Sequence, residues 1–208
     1  MLQRFREFWT NVFAPIANGL LRLGVTPDQV TVVGTLGVVA GALWFFPRGH
    51  LLTGVLVITA FVFSDLLDGY MARTSGKASP WGAFLDSTLD RFGDAAIFVG
   101  LLLYYLSPHA RTTLGEPMLY VYLCLACLVL GSITSYIRAK AESLGMTAKV
   151  GIAERAERLA AILIATGLNG IFGLPILTEL TLWALALASG ITVLQRIAAV
   201  RTQALPQD

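Results

Sequence analysis

Asp65, Asp68, Asp86 and Asp90 stand together in a chain that is 56% hydrophobic and only 13% charged. Asp65 and Asp68 are three residues apart, and Asp86 and Asp90 are four apart. Residues at those spacings share a helix face. Gly69, Gly76 and Gly82 let the connection between the pairs turn and the helices approach closely. Two carboxylate pairs can therefore face each other across a helical hairpin.

Four bare carboxylates would repel, and burying them would be costly. They can be read as solvated charges at helix ends, as partners of Arg73 and Arg91, or as part of a proton or cation pathway. The local positive charge is too small to pair with all four, so one or two divalent cations are the economical counter-charge. Hard oxygen ligands without His or Cys favour Mg²⁺, with Mn²⁺ as the alternative, over Zn²⁺. Magnesium completes its shell with water and substrate phosphates. Two such ions about 4 Å apart clamp the phosphate of an in-line displacement. The spacing points to phosphoryl chemistry.

The elements that must hold these aspartates are apolar. The chain has 208 residues and a mean hydropathy of +0.71, where soluble domains carry about 25% charged residues. Six runs have the length of membrane spans, at Asp28–Phe46, Leu51–Met71, Phe84–Leu106, Met118–Arg138, Arg155–Phe172 and Ile176–Arg196. Helices are the form a bilayer permits for them. An all-α integral membrane fold is expected, as one domain over 1–208 with a six-helix bundle over 28–196.

With six spans the termini share a side. That side holds Arg4, Arg6, Arg22, Arg73, Lys77, Arg91, Arg138, Lys140, Lys149, Arg155, Arg158, Arg196 and Arg201, and the other only Arg48 and Arg111. The positive-inside rule places both termini and the aspartates at the cytoplasmic face of the cell membrane. A net charge of +2 gives no reason to expect a nucleic-acid partner. Within residues 1–24, Leu2, Phe5, Phe8, Trp9, Val12, Phe13, Ile16 and Leu20 follow helical spacing opposite polar residues. This predicts an interfacial amphipathic helix, not a signal peptide. Cys124 and Cys127 form a CxxC inside the fourth span, best read as packing. Gly34, Gly37 and Gly41 read as a close helix contact. His50 and His109 are given no role.

The run Asp65-Leu-Leu-Asp68-Gly69-Tyr-Met-Ala72-Arg73, continued by Gly82, Asp86 and Asp90, resembles the signature of the CDP-alcohol phosphatidyltransferases, with every fixed position at the right spacing. That resemblance implies six transmembrane helices, an amphipathic N-terminal helix, a two-metal site and a homodimer. It implies transfer from a CDP-linked lipid to an alcohol with release of CMP. It further implies that Asp65, Asp68, Asp86 and Asp90 hold the metals and that Asp90 is also the general base. Gly69 would let the backbone approach the nucleotide and Arg73 would pair with its phosphate. Thr26 to Thr31, TPDQVT, resembles the family's other nucleotide-contacting segment, which nominates Asp28, Gln29, Val30 and Thr31. A helix start with Pro in its first turn is the plainer reading there. Ser79 in the connecting loop is a weaker CDP-diacylglycerol contact.

Arg138, Arg155 and Arg196 come from three spans and suit an anionic acceptor, because the guanidinium fork matches phosphate; membrane anchoring is the plain alternative. The segments SYIRAKAESLG and GIAERAERLA resemble those of actinobacterial phosphatidylinositol phosphate synthases. This implies CDP-diacylglycerol and inositol phosphate as substrates. Phosphatidylglycerophosphate synthases, which use glycerol 3-phosphate, have related segments and are the alternative. A divalent-cation transporter would need polar groups through the depth of the membrane, and the outer halves of these spans are nearly free of charge.

Overall fold

All regular secondary structure is helical in the computed structural model, which describes residues 14–76, 79–152 and 154–205 and, of Asp65, the backbone alone. Residues 1–13 of the predicted interfacial helix, Lys77 and the Asp65 side chain lie outside the described residues. In chain order the helices are α1 (residues 14–22), α2 (Pro27–Phe45), α3 (Leu51–Val62), α4 (Ser64–Thr74), α5 (Pro80–Leu106), α6 (Pro117–Ser143), α7 (Arg155–Phe172) and α8 (Pro175–Ala204). A 3₁₀ turn, Phe46–Arg48, follows α2.

Among the described residues, Pro27–Arg48, Leu51–Thr74, Pro117–Ser143 and Pro175–Ala204 are long and apolar enough to cross a membrane. Large apolar side chains point outward along them, including Leu36, Leu56, Leu187 and Leu194. The expected third and fifth spans are present as α5 and α7, but they do not reach that apolarity. Asp86, Asp90, Arg91 and Asp94 fill the first half of α5, and α7 opens on Arg155, Glu157 and Arg158. The expected second span is realised as two successive helices, α3 and α4, that part at Phe63. The Ser64 hydroxyl donates to Phe61 O at 2.6 Å, a local bond that competes with the helical ladder.

By contacts the chain divides into two compact units. The first takes the residues up to Gly41 together with Leu56–Ala96. Its small apolar core joins Ala17 of α1, Val30 of α2 and Met71 of α4, with Leu67 and Tyr70 against them. α2 opens with a reciprocal cap: Gln29 N–H donates to the Thr26 hydroxyl (3.3 Å) and Thr26 N–H to Gln29 Oε1 (2.9 Å). Pro27 in the first turn completes this start signal.

Along α2, a Cβ added at Gly34 would run into Ser64, one at Gly37 into the Phe61 ring, and one at Gly41 would press on Val57 at 3.1 Å. The contacts step forward on α2 as they step back on α4 and α3, the register of an antiparallel pair. The glycine stripe is thus a close helix contact, as its spacing predicts.

The second unit takes Ala42–Val55 and the residues from Ile97 onward. α8 packs against both α6 and α7. Cys124 and Cys127 are free and buried, and the Cys127 thiol points to Leu182 O at 3.6 Å. Glu179 of α8 is fully buried. Its carboxylate accepts the N–H groups of Thr113 (2.6 Å) and Leu114 (2.9 Å), in the loop between α5 and α6. Two charge-assisted bonds offset much of the cost of burying that charge. At the start of α7, Glu154 and Glu157 form a capping box.

Candidate active site

The first unit assembles the acidic motif from α2, α4 and α5. Asp68 projects from α4 and is only 7% exposed. The Thr31 hydroxyl, from α2, lies 2.6 Å from Asp68 Oδ2 and 3.1 Å from Pro27 O. One hydroxyl proton serves one acceptor at a time, and the short bond to the carboxylate is the stronger. Asp86 and Asp90 on α5 are near enough for their charges to act on the Asp68 carboxylate. Asp86 is exposed and Asp90 half-buried. Arg91 Nη2 lies 3.7 Å from Asp90 and 3.8 Å from Asp94.

Among the described residues Asp68 has no ion-pair partner. A buried carboxylate beside two others, with the Thr31 hydroxyl and the Gly69 backbone N–H as donors and no ion-pair partner among the described residues, is a place where a cation would be stabilised. The donors are hard carboxylate oxygens, so the set fits a divalent cation of the Mg²⁺ or Mn²⁺ type. No cluster of three such side chains within reach of one ion forms among the described residues. The fourth expected ligand, the Asp65 side chain, lies outside them.

The expected nucleotide contacts are partly gathered here. The Arg73 guanidinium lies over Gly69, where an added Cβ would meet it only at 3.5 Å. Internal packing therefore does not account for the absence of a side chain at 69. At Gly82 an added Cβ would stand 3.6 Å from Asp28 Oδ1 and 3.5 Å from Ser79 Oγ. Thus Asp28 and Ser79, from segments far apart in sequence, meet at one glycine. Ser79 caps α5 by accepting Gly82 N–H at 3.0 Å. The Gln29 side chain serves the cap of α2, Val30 is buried in the core, and Thr31 is turned to Asp68.

The second unit holds the arginines. Arg196 is 5% exposed; its Nε donates to Val150 O (2.9 Å) and its Nη1 to Thr134 O (2.6 Å). Arg138 lies close enough for its charge to act on Arg196, and it pairs on the exposed side with Glu142 at 3.1 Å. Arg155, the first residue of α7, is half-buried. Sequence reasoning overlooked Arg158, which is 5% exposed and donates to the Thr134 hydroxyl at 3.3 Å. Two buried guanidinium groups from α7 and α8 therefore meet at Thr134 of α6. The signal was present: Arg158 stands on the same stripe as the buried Ile162, Ala165 and Asn169. A charge on a buried stripe marks a candidate.

The family model described as CDP-alcohol phosphatidyltransferase matches residues 24–202. The phosphatidylinositol phosphate synthase of Cutibacterium acnes is 51% identical, over 97% of this chain and 98% of its own. That of Streptomyces avermitilis is 46% identical over 100% of this chain and 86% of its own. A crystal structure of the Mycobacterium tuberculosis phosphatidylinositol phosphate synthase with CDP-DAG bound superposes with a TM-score of 0.85 at 43% identity. The match covers 92% of this chain and 94% of that one. A second structure of the same synthase, in complex with manganese and citrate, gives a TM-score of 0.84 at the same identity, over 91% of this chain and 89% of that one.

Proposed function

Because the chain belongs to the CDP-alcohol phosphatidyltransferases, metal-dependent enzymes, we propose that it transfers the phosphatidyl group of CDP-diacylglycerol to inositol phosphate and releases CMP. The observation that carries the chemistry is the buried Asp68 carboxylate, hydrogen-bonded by Thr31 and flanked by Asp86 and Asp90. The relatives named for this reaction, and the arginines of the second unit, support the acceptor.

In this reading Asp65, Asp68, Asp86 and Asp90 hold two Mg²⁺ ions, with Mn²⁺ as the alternative. When bound, the ions would neutralise the pyrophosphate and the charge developing on the leaving CMP. Thr31 fixes the rotamer of Asp68, an orienting role typical of groups behind metal ligands. Gly69, Arg73, Asp28 and Ser79 line the approach of the nucleotide, and Arg73 supplies the phosphate contact. An inositol hydroxyl oxygen attacks the phosphatidyl phosphorus, and the bond from that phosphorus to the CMP oxygen breaks. Asp90 takes the hydroxyl proton, as a positioned carboxylate does in general base catalysis. Arg138, Arg155 and Arg196 hold the acceptor's phosphate. Arg196 has two of its five N–H groups on backbone carbonyls, which leaves three for a ligand.

The proposal extends to the arrangement in the membrane. α5 and α7 would complete six spans, residues 1–24 would lie in the interface, and both termini and the aspartates would face the cytoplasm. A homodimer, implied by resemblance, belongs to the same reading. Accessibility of single cysteines placed in the loops tests the orientation.

The deciding assay offers purified protein CDP-diacylglycerol and Mg²⁺ with inositol phosphate, free inositol, glycerol 3-phosphate or serine, and measures CMP release. Turnover with inositol phosphate is expected. Turnover of glycerol 3-phosphate with none of inositol phosphate would assign the chain to the glycerophosphate branch.

A further inference from the structure

We propose that Gln203, in the last turn of α8, is a positioning residue for the acceptor. It clasps the connector between α6 and α7 onto α8, and so orders the approach to the arginines that begin α7. The inference rests on the reading that Arg155, the first residue of α7, holds the acceptor's phosphate together with Arg138 and Arg196.

The connector, described over 144–152 and at Glu154, has no regular structure of its own. Three rungs tie it to α8. At the first, Gln203 Oε1 accepts Thr147 N–H (2.9 Å) and Gln203 Nε2 donates to Thr147 O (2.7 Å). At the second, Arg196 Nε donates to Val150 O. At the third, Gly151 sits flat on Thr192, where an added Cβ would strike the Thr192 methyl. Gly151 also has φ +141°, a conformation that side chains rarely adopt. Thr192, Arg196 and Gln203 are spaced by four and then seven residues, which puts them on one face of α8. Beyond the last rung, the Glu154–Glu157 box fixes the first turn of α7. The path from Thr147 to Arg155 and Arg158 is therefore set from both ends.

Gln203 is exposed, and an exposed glutamine ordinarily spends its amide on water. Here the second Nε2 hydrogen goes to Ala199 O at 2.7 Å, and Oε1 also lies 3.4 Å from the Thr147 hydroxyl. Both donors and the carbonyl are committed. The bond to Ala199 fixes the side chain on its own helix, so it meets Thr147 already ordered and little rotamer freedom is lost there. Arg196 would keep its rung and Ala148 its buried place without Gln203, but Thr147 would lose the side chain that holds its N–H and C=O. A ligand whose binding residues follow that connector would have to supply the ordering itself.

The test uses the detergent-purified full chain with Gln203→Ala, Gln203→Glu and, separately, Arg155→Ala. Hydrogen–deuterium exchange reads the connector, and CMP release with inositol phosphate and CDP-diacylglycerol reads catalysis. Gln203→Ala should raise exchange over 145–152. It should raise KM for inositol phosphate by about three- to tenfold, as expected for one or two neutral hydrogen bonds. kcat at saturating acceptor and KM for CDP-diacylglycerol should stay near those of the unmodified chain. Gln203→Glu loses the donors to both Thr147 O and Ala199 O and turns an oxygen toward those carbonyls, so it should raise the acceptor KM at least as much as Gln203→Ala. An unchanged acceptor KM in Gln203→Ala, with or without faster exchange, overturns the proposal, as does an equal loss in kcat. If Gln203→Ala raises the acceptor KM while Arg155→Ala does not, the clasp stands and the arginine reading falls.

Discussion

Replacing Thr31 by valine should strip Asp68 of its one hydroxyl donor while nearly preserving volume. The 2.6 Å bond is short, buried and made to a carboxylate, the kind worth about 1.5–3 kcal/mol. At about 1.4 kcal/mol per factor of ten, that corresponds to roughly ten- to a hundredfold. The loss should appear where Asp68 acts. We expect the Mg²⁺ concentration for half-maximal CMP release to rise by about that factor, in line with the cost of removing groups behind metal ligands. Thr31→Ser keeps the donor and should titrate within about twofold of the unmodified chain. The assay is CMP release against Mg²⁺ at saturating CDP-diacylglycerol and inositol phosphate, on protein shown folded by gel filtration. A folded Thr31→Val variant with an unchanged metal titration would refute the reasoning. If KM for CDP-diacylglycerol rose instead, Thr31 would be a nucleotide contact and not the orienter of Asp68.

Asp65→Asn, Asp68→Asn and Asp86→Asn should each abolish CMP release in folded protein, while Asp90→Asn should lose turnover more than CDP-diacylglycerol binding, since a base acts mainly in the transition state. Normal turnover in Asp90→Asn at saturating lipid would remove its role as the base. Arg155→Ala should weaken apparent affinity for inositol phosphate by about ten- to a hundredfold. Arg196→Ala should weaken it likewise and also lower the melting temperature, because Val150 O and Thr134 O lose their donor; a thermal melt reads the second effect. Glu179→Ala strands the N–H groups of Thr113 and Leu114, each costing about 1–3 kcal/mol. It should lower the melting temperature by several degrees with CMP release at 25 °C retained.

The acidic motif and the runs that carry it were legible because each is a local pattern. Aspartates three and four apart, glycines at a contact and a Thr–Pro–x–Gln helix start all declare themselves within a few residues. What escaped needed tertiary knowledge. Thr31 reads from sequence as a nucleotide contact, and nothing near it says that its hydroxyl also meets a carboxylate thirty-seven residues on. The parting of α3 from α4 at Phe63 falls where the apolar run of α3 gives way to the polar Ser64–Asp65 start of α4, but a change in polarity along a run does not by itself say that the helix breaks. Arg158 was passed over in favour of Arg155, although its place on the inward stripe of α7 was readable. The double use of Arg196, as a strut for Val150 and Thr134, depends on where a connector happens to lie.

The glycine stripe of α2 acts as a ruler. Gly34 meets Ser64 one turn beyond the place where Thr31 meets Asp68, so the gap at Gly34 fixes the reach at Thr31. A methyl at 34 would overlap Ser64 Oγ and stand 3.1 Å from Ser64 Cβ, so Ser64 must turn away and its backbone give by a few tenths of an ångström, which should lengthen the 2.6 Å bond one turn along. In a mutational scan scored on lipid product, position 34 should then behave like an active-site position although it bears no functional group. In one scored on protein abundance, it should look unremarked.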